Sequence, residues 1–280
     1  MDVAIALPNA VPGASGAQLA EWARRAESRG FSSLAANDRV AYASYEPLTA
    51  LAAAAGVTER IGLCTAIAIG PLRVSATVLA KQALSLQALS GERLTLGVGL
   101  GSRESDYAAA GVPFGGRGRK LEAMIVRMQE VWARYATSPA VAPPPIVVGG
   151  GVDASFDRAA RLGAGWIAGG VSSDEFAESA AKVTAAWAER GREGRPRLIG
   201  LIYFSLGPEA EATAASYLTD YYAWLGEEAA GSIVAGAATD TEGVRAELAA
   251  FEAGGCDELI LFPCAADPGQ VDLLAEAARL

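Results

Sequence analysis

IVVGGGVDASFDRAARLGAGWIAGG, residues 146–170, reads as one strand–helix–strand unit. Residues 146–148 are an unbroken apolar run entered from a Pro143-Pro144-Pro145 turn, the pattern of a strand buried on both faces. Residues 156–162 form a helix, and 164–168 return to an apolar strand. A helix between two buried strands is the crossover that a parallel sheet requires.

The alternation continues in both directions. Upstream, strands are expected at 3–7, 31–36, 61–69 and 94–98, with helices at 18–28, 48–55, 78–89 and 121–135. In the first helix Leu19, Trp22, Ala23 and Ala26 share one face at helical spacing, and Gly30 stops it. Downstream, helices at 174–190, 210–225, 241–253 and 270–279 accompany strands at 198–206 and 257–262. Ser172 stands three residues before Glu175, the spacing of a capping box. About eight strands, nearly all separated by helices, predict a TIM (β/α)8 barrel forming one domain over residues 1–280. The rival is an open Rossmann-like sheet. Against it, the first strand leads into Pro8-Asn9-Ala10-Val11-Pro12-Gly13 and not into a G-x-G-x-x-G turn. The longest irregular stretches expected are 99–119 and 227–240, and long loops inside compact domains are often functional.

Composition narrows the chemistry mostly by exclusion. Histidine is absent from the 280 residues, which removes Ser-His-Asp and Cys-His nucleophilic sites and His-based zinc sites. Cys64, Cys256 and Cys264 are too scattered to replace such ligands or to form a disulfide framework, so no metal is expected and the three read as small buried hydrophobes. Chemistry supplied by an organic cofactor remains open. The net charge of −9, with no basic stripe, argues against a nucleic-acid partner. No signal peptide and no membrane-length apolar run is visible, so a cytoplasmic protein with a small-molecule substrate is expected.

Barrel sites lie at the C-terminal ends of the strands, which selects a short list. Asn37, Asp38 and Arg39 follow the second strand, with Tyr42 and Tyr45 beyond. The third ends in Ala66 and Ile67 and continues to Arg73. The fourth runs through Gly97, Gly99 and Gly101 to Ser102, and strand glycines often mark close approach by a ligand or another backbone. Gly149, Gly150 and Gly151 precede a helix, a place where bare amides can meet an anion, and Gly169 and Gly170 repeat the arrangement. Tyr203 and Phe204 read as core, with a ring pocket as the second reading.

These residues together resemble the luciferase-like flavin monooxygenase family, which also contains deazaflavin-dependent reductases. Four stretches carry the resemblance: Gly30-Phe31-Ser32-Ser33-Leu34 with Asp38; Leu79 through Gly91-Glu92-Arg93-Leu94 to Gly99, continuing by Gly111-Val112-Pro113-Phe114, Arg117 and Arg119 to Trp132; Pro144 to Gly151 with Ala159 to Trp166; and Gly254 to Pro263. The resemblance implies an oxidoreductase that binds FMN or the deazaflavin coenzyme F-420 and passes a hydride or activated oxygen to a small organic substrate. It implies a bulge in the third strand with a cis Ala66–Ile67 peptide behind the cofactor ring. Asn37, Arg73 and Gly99 would sit near that ring, and Gly149, Gly150, Gly151, Gly169 and Gly170 would hold phosphate. A homodimer is the family's usual assembly. Two departures stand out. Asp38 is followed by Arg39 where many members have His, and Ser102 replaces a Glu proton donor of the deazaflavin sugar dehydrogenases. Asp38, Arg39 and Ser102 are therefore the catalytic candidates, with Arg39 or Arg73 suited to an anionic ring or substrate. The departures also motivate an alternative, a catalytically silent flavin- or deazaflavin-binding barrel. A barrel of another class that uses the glycine loops for a sugar phosphate is the third reading.

Overall fold

The computed structural model describes residues 1–134 and 141–280. Its strands are β1 (Asp2–Ala6), β2 (Ser33–Ala36), β3 (Gly62–Thr65), β4 (Ala68–Ile69), β5 (Leu94–Gly99), β6 (Ile146–Gly149), β7 (Gly165–Gly170), β8 (Arg197–Phe204) and β9 (Glu258–Pro263). All pair in parallel in the order β3-β2-β1-β9-β8-β7-β6-β5-β4, and a β3–β5 pairing closes the ring. Strands β3 and β4 are two halves of one barrel strand, so the barrel is eight-stranded. The single long strand expected at 61–69 is thus broken, and the break lies at the cis Ala66–Ile67 peptide.

The helices are α1 (Gly16–Arg29), α2 (Pro47–Ala55), α3 (Ala76–Leu89), α4 (Glu104–Ala109), α5 (Arg117–Arg134), α6 (Asp153–Leu162), α7 (Ser173–Glu189), α8 (Ala210–Tyr222), α9 (Glu227–Ala235), α10 (Thr241–Ala253) and α11 (Gly269–Ala278). Gly30 ends α1 in the left-handed region, and Ser172 with Glu175 caps α7 reciprocally. Two stretches expected to be irregular are partly helical: α4 and the start of α5 fall in 99–119, and α9 falls in 227–240. Tyr135, expected as the last residue of the helix at 121–135, lies outside the described residues.

Side chains alternate along each strand between two cores. In β9, Leu259 and Leu261 pack outward under the helices, while Ile260 and Phe262 point into the barrel. Small residues fill much of the interior, including Ala4, Ala6, Ala35 and Cys64. The N-terminal end is plugged by Glu258, which is 1% exposed and accepts from Ser32 and Ser33 hydroxyls and from Arg197 Nη2 at 2.7–2.8 Å. The C-terminal mouth is where barrels of this kind place their sites.

The bulge in the third strand explains the glycines of β5. From Cys64↔Thr95 to Ala68↔Val98, the third strand uses one residue more than its neighbour. The extra length pushes toward β5, where a Cβ on Gly97 would stand 1.9 Å from the Thr65 carbonyl oxygen. A Cβ on Gly99 would meet Ile67 at 2.9 Å, and one on Gly149 would meet it at 3.1 Å. These glycines make room for another backbone and for Ile67.

Candidate active site

At the C-terminal mouth a cavity of ≈ 170 Å³ is lined from below by Ala66, Ile67, Leu201 and Phe262. Its rim is built by the ends of β2, β5 and β7 and by the last turn of α8.

Asp38 fastens the second strand to the bulge. Its carboxylate accepts from the Ile69 N–H at 2.8 Å and from Arg73 Nη2 at 2.5 Å, and Arg73 reaches Glu46 at 3.1 Å. Burial pushes the Asp38 carboxyl above its usual range, against the opposing pull of Arg73 and the Ile69 N–H. Arg73 itself is set behind Asp38 and not in the cavity wall.

Arg39 turns the other way. Its Nε donates to Asp106 at 2.8 Å, and the other carboxylate oxygen of Asp106 accepts the Val40 and Ala41 N–H groups at 2.9 and 2.7 Å. One acidic side chain at the start of α4 therefore fixes the whole loop after β2. The Arg39 side chain is 7% exposed, and its Nη1 has no hydrogen-bond partner.

Tyrosines close the remaining side. Asn37 donates to the Tyr221 hydroxyl at 2.8 Å, and the Tyr203 and Tyr222 hydroxyls share a hydrogen bond at 2.8 Å. Burial raises the Tyr221 hydroxyl to about 12 and pushes Tyr203 and Tyr222 up as well, so all three are protonated near neutrality. Tyr203, read first as core, is buried and also lines the cavity.

The structure thus brings Asn37, Asp38, Arg39, Ala66, Ile67, Ser102, Gly169 and Gly170 around one cavity. Gly99 and Gly149 are set apart from it beneath Ile67, because the bulge fills the space their missing side chains leave. Gly150 and Gly151 also stand outside the cavity wall. The Gly150 carbonyl accepts from Trp166 at 2.7 Å, and Gly151 faces open space. The residues missed from sequence are Arg103, Asp106, Tyr221 and Tyr222. The one signal for them was the Tyr221-Tyr222 doublet, which a search limited to strand ends passes over.

A second cavity of ≈ 350 Å³ shares Gly170, Leu201 and Tyr203 with the first and continues past Val171 and Ser172 toward α9 and α10. Alone, the mouth cavity is smaller than the ~300–1,000 Å³ usual for small-molecule sites. The second cavity lies in that range by itself and adjoins the first along Gly170, Leu201 and Tyr203; the two together are the trough of the mouth.

The model of the luciferase-like monooxygenase family matches residues 1–271. The chain belongs to the luciferase-like monooxygenase family. An uncharacterised Mycobacterium tuberculosis relative is 32% identical over 207 residues, 61% of this chain and 71% of that one. A second from the same organism is 31% identical over 173 residues, covering 56% and 61%. Among solved structures, an F-420-dependent secondary alcohol dehydrogenase holding an F-420–acetone adduct superposes with a TM-score of 0.84 at 17% identity, covering 99% of this chain and 98% of that one. The coenzyme F-420-dependent tetrahydromethanopterin reductase of Methanopyrus kandleri gives 0.75 at 15%, covering 99% and 97%. A monooxygenase from Streptomyces bottropensis gives 0.73 at 19%, covering 99% and 98%. At such identities these likenesses establish the luciferase-like fold.

Proposed function

We propose that this luciferase-like chain is an oxidoreductase that binds FMN or coenzyme F-420 at the barrel mouth and acts on a small organic substrate. The observation that carries the reading is the trough itself. It is backed by Ala66 and Ile67 at the bulge and passes the side-chain-free backbone of Gly169 and Gly170. Two solved relatives of the same fold are named for their use of coenzyme F-420. The residues present fit such a group. The bulge offers a flat apolar backing, the unpartnered Arg39 Nη1 offers a buried donor, and the glycines admit a polar tail without steric conflict.

When bound, such a ring supplies a hydride or, for a flavin, a route to activating dioxygen. The protein's part is orientation and charge. Ala66 and Ile67 support the ring, and Gly169 and Gly170 admit the phosphate-bearing tail. Arg39 stabilises negative charge by its fixed cation, a role that needs no proton transfer. Ser102, exposed at the rim, is placed to donate a hydrogen bond to substrate. Asp38 is a positioning residue that holds Ile69 and Arg73.

Titration with FMN and with F-420, followed by fluorescence, tests the binding. Saturable binding of one of them supports the reading, and binding of neither contradicts it. A silent binding role is the second reading, because Asp38 and Asp106 are both committed to arginines and the chain lacks histidine. Anaerobic reduction of the bound cofactor separates the two. An oxidoreductase reoxidises faster than free cofactor with air or a suitable acceptor, and a silent binder does not.

A further inference from the structure

The charges around the mouth do not balance. Asp38 is paired with Arg73, and Asp106 with Arg39. Arg103 also lines the cavity, is 7% exposed, and makes no ion pair or hydrogen bond among the described residues. Its guanidinium lies over Tyr221, 4.0 Å from the ring centroid, with Tyr222 and Trp224 at 5.3 and 5.4 Å. Ring faces hold a cation in place but offer no acceptor to its five N–H donors.

Arg39 packs against the same Tyr221 ring at 5.2 Å, and its Nη1 is buried without a partner. Two guanidinium groups on one buried ring repel each other, Arg39 keeps a buried donor without a partner, and Arg103 has no acidic partner. An anion in the cavity offsets the repulsion and gives Arg103 a counter-charge. The planar fork of arginine matches a carboxylate in geometry. The rest of the wall, with Ile67, Leu201, Tyr203 and Phe262, suits an apolar body. In the cofactor-free chain the cavity, at ≈ 170 Å³, is close to the roughly 150 Å³ that accepts a benzene ring in an engineered core, so a benzene-sized probe suits it.

We propose that Arg39 and Arg103 form a subsite for the carboxylate of a small organic acid. Resting on the oxidoreductase reading above, this makes the substrate an organic anion with a compact apolar body.

Benzoate and benzamide share a shape and differ in charge, so calorimetric titration of both reads the subsite directly. The chain is expected to bind benzoate about tenfold or more tightly than benzamide, the scale of a charge-assisted hydrogen bond. Arg103→Gln is expected to remove this preference. Arg103 has no acidic partner, so this variant strands no buried charge. If Arg39→Gln does not fold, Arg39→Gln/Asp106→Asn removes that pair together and is expected to abolish the preference too.

Equal affinities for the two probes, or no benzoate binding at millimolar concentration, overturn the proposal. So does a parallel loss of cofactor affinity in Arg103→Gln, which assigns the anion to the cofactor. If neither cofactor binds while the benzoate preference and its loss in Arg103→Gln hold, the oxidoreductase reading fails and the carboxylate subsite stands.

Discussion

Asp106 is the residue on which the mouth turns. Its carboxylate takes one guanidinium and two backbone N–H groups, all from the loop after β2. Removing it leaves Arg39 buried without a counter-charge, and breaking such a pair costs about 3–5 kcal/mol. Asp106→Ala is therefore expected to lose stability of that order in urea unfolding, and a loss below about 1 kcal/mol would show that the pair matters little. Asp38 and Arg39 could be picked out from sequence because a barrel places its site at strand ends. Asp106, Tyr221 and Tyr222 could not. Their partners are far away in the chain, as with Asn37 and Tyr221, 184 positions apart, and no local pattern encodes which helix end folds over the mouth.

At the scale of elements, periodicity located the strands and most helices. It failed where the helical signal is short or interrupted by glycine. Helix α4 has only six residues, and α9 contains Gly231 and is flanked by Gly226 and Gly236. The bulge was visible through the family resemblance, but the reason for the β5 glycines needed the third strand's path. Gly97→Ala is expected to cost about 3 kcal/mol, the upper end of overpacking, because the obstacle is the Thr65 backbone carbonyl. A thermal melt unchanged from the parent would contradict that packing.

Helix α1 is tied to the barrel by Glu27, which accepts the N–H groups of Glu59, Arg60 and Ile61 ahead of β3. Partial burial pushes the Glu27 carboxyl up, but these three donors outweigh it and hold the carboxyl below its usual 4.5. A depressed folded value means that the stabilisation is complete above the unfolded value and disappears as pH falls through the folded one. Glu27→Gln should thus be less stable than the parent at neutral pH, with the difference shrinking in acid below about 4.5. A pH-independent difference in urea midpoints would show that the carboxylate's charge plays no part.

For the whole molecule, one closed ring of strands runs from β1 to β9, with Glu258 filling its lower end and the trough open above. Among the described residues no helix is long and apolar enough to cross a membrane. A ligand that binds only the closed barrel stabilises it by mass action, about 2.7 kcal/mol at a hundredfold excess over Kd. The melting temperature is accordingly expected to rise with FMN or F-420 concentration, and a flat response to both would count against a mouth that binds either. The most direct measurement is a crystal structure of the chain soaked with the cofactor that shifts the melt. The account predicts ring density against Ala66 and Ile67, with the tail passing Gly169 and Gly170. Ring density confined to the loop at Gly149–151, with none in the trough, would contradict it.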